Sequence, residues 1–358
     1  MTSFFLRTGA RVAYVIATMG CVGAVHAQSD WRQTAVPFYS TGQFAQASMR
    51  DAGMRAAVWK AASERLVMNL QGYCQPSGAT AVAPATVQSD WRASATAWDR
   101  LDALELGPLL ERRSARAVDF MPTRPAMLER AITRLPRDVA AMERVGTPAK
   151  GFEALEWLLW PAPAQAGSPR CDYAVAVAAY MARESVALAQ AFDAAAGAEP
   201  EPEQGDAAFS EAINQWVGGI ETLRWLFMRK PVEVAGTRNE AVVFPRARSA
   251  QTPDSWAARW QTLKSYAVLA ARATPQREGA ESLIPFETWL LSRGANVLAD
   301  KLVRVTTDAD LAMAAADTGS APSVLAAAAA LARLTQLVQQ ELAPALSVSL
   351  GFSDADGD

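Results

Sequence analysis

Apolar positions along this chain recur every three or four residues, with no sustained alternation, which is the spacing of helices rather than strands. From Met54 to Leu70 the positions Met54, Val58, Ala61 and Leu66 fall in register and predict a helix with those side chains on its apolar face. It ends near Gly72 and Cys74, before a loop over 75–86 rich in Pro, Gly, Ser and Ala. A second helix carries Trp91, Trp98 and Leu101 until Gly107-Pro108 interrupts it. Short helical pieces follow over 109–147, punctuated by Pro122, Pro125 and Pro136, and a long alanine-rich helix starts at Cys171 and reaches about Ala196. Phe209, Ile213, Trp216, Ile220, Leu223 and Phe227 stripe another helix from about Ala207 to Arg229, where Gly218-Gly219 would let a neighbouring backbone come close.

Pro231–Ala250 predicts an irregular segment holding several arginines. Thr252 as N-cap with Pro253 in the first turn opens the next helix, which buries Trp256, Trp260 and Leu263. Pro285 begins one carrying Phe286, Trp289, Leu290 and Val297, and the last holds Leu331, Leu334, Val338 and Leu342. The whole predicts an all-α protein of two packed helical bundles, each half like a four-helix bundle.

The sharpest break in composition is the acidic stretch 199–206, Glu-Pro-Glu-Pro-Glu-Gln-Gly-Asp. It is read as a linker between an N-terminal bundle over 28–198 and a C-terminal bundle over 207–358. Residues 1–27 read as a signal peptide: Arg7 and Arg11, an apolar run from Val12 to Val25, then Val25-His26-Ala27 as the cleavage site. A periplasmic or secreted location follows, with no transmembrane span expected. Lipidation at Cys21 is the rival, disfavoured because Thr18 stands where such signals carry an aliphatic residue.

Charge and histidine content narrow the chemistry. A formal net charge of −3 gives no reason to expect nucleic acid or an anionic membrane as partner. The single histidine, His26, lies inside the expected signal peptide, so the mature chain has none. That removes Ser-His-Asp and Cys-His nucleophile pairs, histidine-built zinc sites and Glu-x-x-His di-iron bundles. Cys74 and Cys171 are then an even pair in an oxidising compartment and predict one disulfide.

The candidate chemistry sits in Gly151–Trp160, Gly-Phe-Glu-Ala-Leu-Glu-Trp-Leu-Leu-Trp, which Pro161 stops. At roughly 100° per residue, Glu153, Glu156, Trp157 and Trp160 share one side of a helix, opposite Leu155, Leu158 and Leu159. Two readings stay open: an amphipathic helix with its glutamates in water, or a polar face that lines a cleft or meets paired partners.

Several stretches resemble the imelysin-like family of secreted bacterial proteins, some of them iron-regulated. Trp91-Arg92-Ala93 through Trp98, with Gly107-Pro108, is similar to the family's second helix, and Val118-Asp119-Phe120-Met121-Pro122 to its proline-rich segment. Gly151 to Glu156 occupies the place of the signature helix, Pro245-Arg246-Ala247-Arg248-Ser249 resembles a loop of the second half, and the ending from Leu350 to Asp358 resembles the family's own. The resemblance implies two packed bundles, a location outside the cytoplasm and a cleft bearing the signature. The family's signature is Gly-x-His-x-x-Glu, tied to a metallopeptidase activity. Here Glu153 replaces the histidine while Gly151 and Glu156 match.

Glu153 and Glu156, three apart on a helix, are the expected ligands for iron or another divalent cation, with Asp356 of the acidic tail as a weaker addition beside Asp354 and Asp358. Arg246 and Arg248 offer a different outcome: paired with the two glutamates, they would form an ion network or bind an anion. Gly151, Glu153, Glu156, Trp157, Arg246 and Arg248 are therefore the expected ligand-binding set. Three functions compete: a non-catalytic periplasmic protein binding metal, haem or another ligand in iron acquisition, with iron-uptake components as partners; a carboxylate-dependent metallopeptidase; and a helical interaction module without a ligand. The first is favoured, and no residue is assigned as catalytic.

Overall fold

The computed structural model describes residues 36–75, 82–136, 139–198, 200–269 and 283–351. The expected signal peptide with Cys21 and His26, and the tail with Asp354, Asp356 and Asp358, lie outside them. Among the described residues every regular element is helical, as the spacing predicted.

The first helix, α1, is longer than its apolar pattern, running Thr41–Cys74 from a capping box in which Ser40 and Gln43 satisfy each other's backbone N–H. Its buried face also differs from the expected one. Met54 and Val58 are more than half exposed, and the core side is Ala52, Ala56, Trp59, Ala62, Ser63, Leu66 and Leu70. Small residues around one indole let neighbouring helices approach closely, and this outweighs the hydrophobicity of Met and Val in choosing the face.

Next come α2 (Pro84–Asp102), α3 (Pro108–Arg112), α4 (Ser114–Val118), α5 (Pro125–Arg134), α6 (Val139–Glu143), α7 (Gly151–Leu159) and α8 (Pro169–Gly197). Trp91 and Trp98 of α2 are fully buried, and Trp98 lies 4.6 Å from Trp59, ring centre to ring centre. The sulfurs of Cys74 and Cys171 are bonded, tying the end of α1 to the start of α8 across 97 residues. A loop of that length contributes about 4–5 kcal/mol in the chain-entropy account.

Within the acidic stretch the chain is already helical from Pro202, the first residue of α9 (Pro202–Glu221). This helix does not stop at Arg229: it widens into a π-helical stretch over Thr222–Arg229 and continues as α10, Lys230–Arg238. Pro231, which has no N–H to give the ladder, falls where the π-helical stretch passes into α10. The irregular region is correspondingly shorter, from Asn239 to Gln251.

α11 (Thr252–Ala267) buries Trp256, Trp260 and Leu263 as expected. Gln251, not Thr252, is its N-cap, because the Thr252 hydroxyl donates to the Pro245 carbonyl instead (2.7 Å). α12 (Phe286–Ser292) and α13 (Asn296–Ala314) follow, with Val297 on α13 and 81% exposed. α14 (Ala321–Leu337) passes through a π-helical turn, Val338–Leu342, into a last short helix at Ala343–Ala345. By length and composition Ala321–Ala345 would pass for a membrane span. Its stripe of Leu331, Leu334, Val338 and Leu342 is spent on the core.

Buried apolar side chains form two clusters. One gathers α1, α2, α7 and α8 around Trp59, Trp91, Trp98 and Phe152. The other gathers the later helices around Trp216, Tyr266 and Phe286, and also takes in Phe44 from the start of α1 and Leu104 and Leu106 just after α2. Gly219 accounts for one close junction. A Cβ there would sit 2.0 Å from the Ala103 carbonyl oxygen, whereas one on Gly218 would meet nothing within 4 Å.

Candidate functional site

α7 is positioned by a backbone approach that only glycine permits. Gly151 opens the helix at φ +82°, and a Cβ would lie 2.1 Å from the Val118 carbonyl oxygen. Asp119 is thereby placed beside the first turn of α7. Apart from Glu153, Trp157 and the closing Trp160, every residue from Gly151 onward is buried. The polar side of the helix meets partners in the protein rather than open water.

That other protein is the turn over 245–250. Glu156, 2% exposed, accepts through one oxygen from both the backbone N–H of Ser249 (2.8 Å) and its hydroxyl (2.6 Å). The turn is braced from the far side by Arg92, whose guanidinium donates to the Ser249 carbonyl at 3.2 and 3.3 Å. Arg246 adopts a left-handed backbone, φ +64°, and its side chain is fully buried. It reaches Asp119 at 2.6 Å, Glu153 at 3.4 Å and Asp99 at 3.6 Å. Arg248 is exposed, and its guanidinium carbon sits over the Trp157 ring, 3.4 Å from its centre.

A second buried cation extends the network. Arg259 of α11 contacts Asp99 at 3.0 Å and Asp102 at 2.6 Å, with its guanidinium 4.1 Å from the Phe227 ring centre. Trp98 completes the set by donating its indole N–H to Asp119 (2.9 Å). Four carboxylates from the first half thus face two guanidiniums from the second. Charges this deep persist only when paired, and the pairing crosses between the two apolar clusters.

The electrostatics follow from burial. Burial opposes the charge on Arg246, but Asp119, Asp99 and Glu153 outweigh it and hold the guanidinium more firmly protonated than usual. Arg259 behaves likewise, through Asp102 and Asp99. Burial pushes Glu153 up to about 7, with Arg246 only partly offsetting it. Glu105, beside Asp102, is pushed up to about 7 by the same cause, and Asp102 itself is raised by burial against the pull of Arg259.

All six expected ligand-binding residues therefore cluster here, but with one another and with other protein groups as partners. A guanidinium stands beside Glu153, and two donors occupy one oxygen of Glu156. Among the described residues no group of three or more His, Cys, Asp or Glu is arranged to hold a metal ion. Asp99, Asp102 and Arg259 escaped the sequence reading. Their signal was charge inside apolar stripes: Asp99 and Asp102 follow Trp91 and Trp98 on α2, and Arg259 lies between Trp256 and Trp260.

The comparisons with known proteins agree with this architecture. The chain is similar in structure to an imelysin-like protein from Psychrobacter arcticum, with a TM-score of 0.71 and 17% identity over 89% of this chain and 99% of that one. It is also similar to a protein from Parabacteroides distasonis described as an iron-regulated protein A precursor, with a TM-score of 0.68 and 13% identity over 85% and 95% of the two chains. No curated protein matches. The imelysin family model, a peptidase M75 group, matches residues 52–348, and the chain belongs to the imelysin family.

Proposed function

We propose that this protein is a non-catalytic, exported member of its family that serves iron acquisition by binding rather than by cleaving peptide bonds. One observation carries the non-catalytic part: the carboxylates of the signature helix are committed to Arg246 and Ser249. A hydrolase of this kind needs a metal-activated water and a carboxylate free to take its proton. Here Glu156 already accepts two hydrogen bonds and Glu153 faces a guanidinium, while the mature sequence brings no imidazole. The link to iron is supported by family membership and by the likeness to the iron-regulated protein from Parabacteroides. Export is supported by the Cys74–Cys171 disulfide, which persists in oxidising compartments.

Two measurements test this. Elemental analysis of protein purified without chelators or tags, with titration of ferrous iron, ferric iron, copper and haem, is expected to show binding of an iron species. No binding of any of them would overturn the iron role in favour of a helical interaction module. A protease assay on unfolded substrates is expected to show nothing; turnover that is lost in Glu156→Gln would overturn the non-catalytic reading.

A further inference from the structure

Away from the buried network, α5, α6 and the segment leading to α7 enclose a cavity of about 390 Å³. Met127, Ala131 and Val145 give it apolar lining, and Arg130, Arg134 and Arg144 also line it. All three arginines are exposed, and among the described residues none of them has a carboxylate partner. The acids next to them in the chain are drawn elsewhere: Glu129 pairs with Arg170 and Glu143 with Arg183, both at 2.5 Å.

Elsewhere Arg65, Arg112 and Arg229 are matched by acids, while Arg116, Arg238 and Arg333 have no carboxylate within 4 Å among the described residues; what sets Arg130, Arg134 and Arg144 apart is that all three line one cavity. Residues 109–150 carry eight arginines and one lysine against five acids, in a chain of net charge −3. Arg134 lies in the last turn of α5, so the helix dipole explains that one position. The end of α6 favours Arg144 in the same way, but Arg130, in the middle of α5, has no such reason. Gathering like charges around one concavity costs energy unless an anion shares it.

We infer that this cavity is a binding site for a small amphiphilic anion: an apolar body seated on Met127, Ala131 and Val145, with a carboxylate, sulfonate or phosphate held by the three guanidiniums. Cavities of about 300–1,000 Å³ suit small organic molecules, and guanidinium forks match the oxygens of such anions. The site is separate from the signature helix and independent of the iron role.

The test uses the full mature chain and anilinonaphthalene sulfonate, whose fluorescence rises in an apolar site, with neutral phenylnaphthylamine as control. One saturable site for the sulfonate is expected, weakening with ionic strength and roughly tenfold weaker in each of Arg130→Gln and Arg144→Gln, the loss of about one charge-assisted contact. Arg116→Gln, outside the cavity, should bind as wild type. Competition by soluble dodecyl phosphate would assign a free amphiphile. Competition only by phosphatidylglycerol vesicles, and not by phosphatidylcholine ones, would assign an anionic lipid headgroup. Equal affinity for the neutral probe overturns the inference. So does unchanged sulfonate binding in both variants when circular dichroism shows them folded.

Discussion

Replacing Arg246 by methionine tests whether the buried network holds the two halves together. The substitution keeps an unbranched stem against Phe152, whose ring centre lies 5.1 Å from the guanidinium carbon, and deletes the charge. Among the described residues, Asp119 then keeps the Trp98 indole as donor with Arg259 at 3.8 Å, Glu153 loses the cation at 3.4 Å, and Asp99 falls back on Arg259. Removing one partner of a buried ion pair costs about 3–5 kcal/mol, because the remaining charge stays buried. Partial compensation by Trp98 and Arg259 puts the expected loss at the lower end, about 3 kcal/mol. Urea unfolding followed by tryptophan fluorescence would read this as a lower midpoint at unchanged slope. Adding Asp119→Asn to the methionine variant should recover part of the loss, since the uncompensated carboxylate is then gone. A loss below about 1 kcal/mol, or no recovery in the double variant, would refute the idea that these charges depend on each other.

Other outcomes follow from single contacts. Gly219→Ala should destabilise strongly through its clash with the Ala103 carbonyl, while Gly218→Ala, which meets nothing, should stabilise by about 0.5–1 kcal/mol; thermal melts of the pair check this. Gly151→Ala, strained by both φ and the Val118 contact, should fail to accumulate as folded protein, and a wild-type melting temperature would contradict that. Reducing the disulfide should lower the urea midpoint by the equivalent of about 4–5 kcal/mol. Glu153, raised to about 7 from 4.5, binds its proton more tightly folded than unfolded, so its ionisation costs the folded state. Stability should therefore fall as pH rises from 4.5 through 7, and Glu153→Gln should shrink that slope without abolishing it, because Glu105 titrates with the same sign. Equal midpoints at pH 5.5 and 8 in wild type would overturn it.

Helix existence was legible in the chain because the 3.6-residue period survives wherever a helix packs on a core. Trp98, Trp216, Trp260 and Leu331 all landed on buried faces. The disulfide and the close approach at Gly219 were also readable, since each rests on residue types with few other uses. Which face α1 buries was not legible, because alanines beside Trp59 pack closer than Met54 and Val58 would allow. The site was half legible. Gly151, Glu153, Glu156, Trp157, Arg246 and Arg248 do meet, but their partners Asp99, Asp119 and Arg259 are set by contacts spanning more than a hundred residues, which local periodicity does not encode.

The same long spans fix an order of events when the chain is made. Asp119 leaves the ribosome 127 residues before Arg246, and Asp99 leaves 160 residues before Arg259. Synthesis runs from the N-terminus, so these acids are made before the cations that pair with them, and their paired burial requires the arginine turn and the helix behind it.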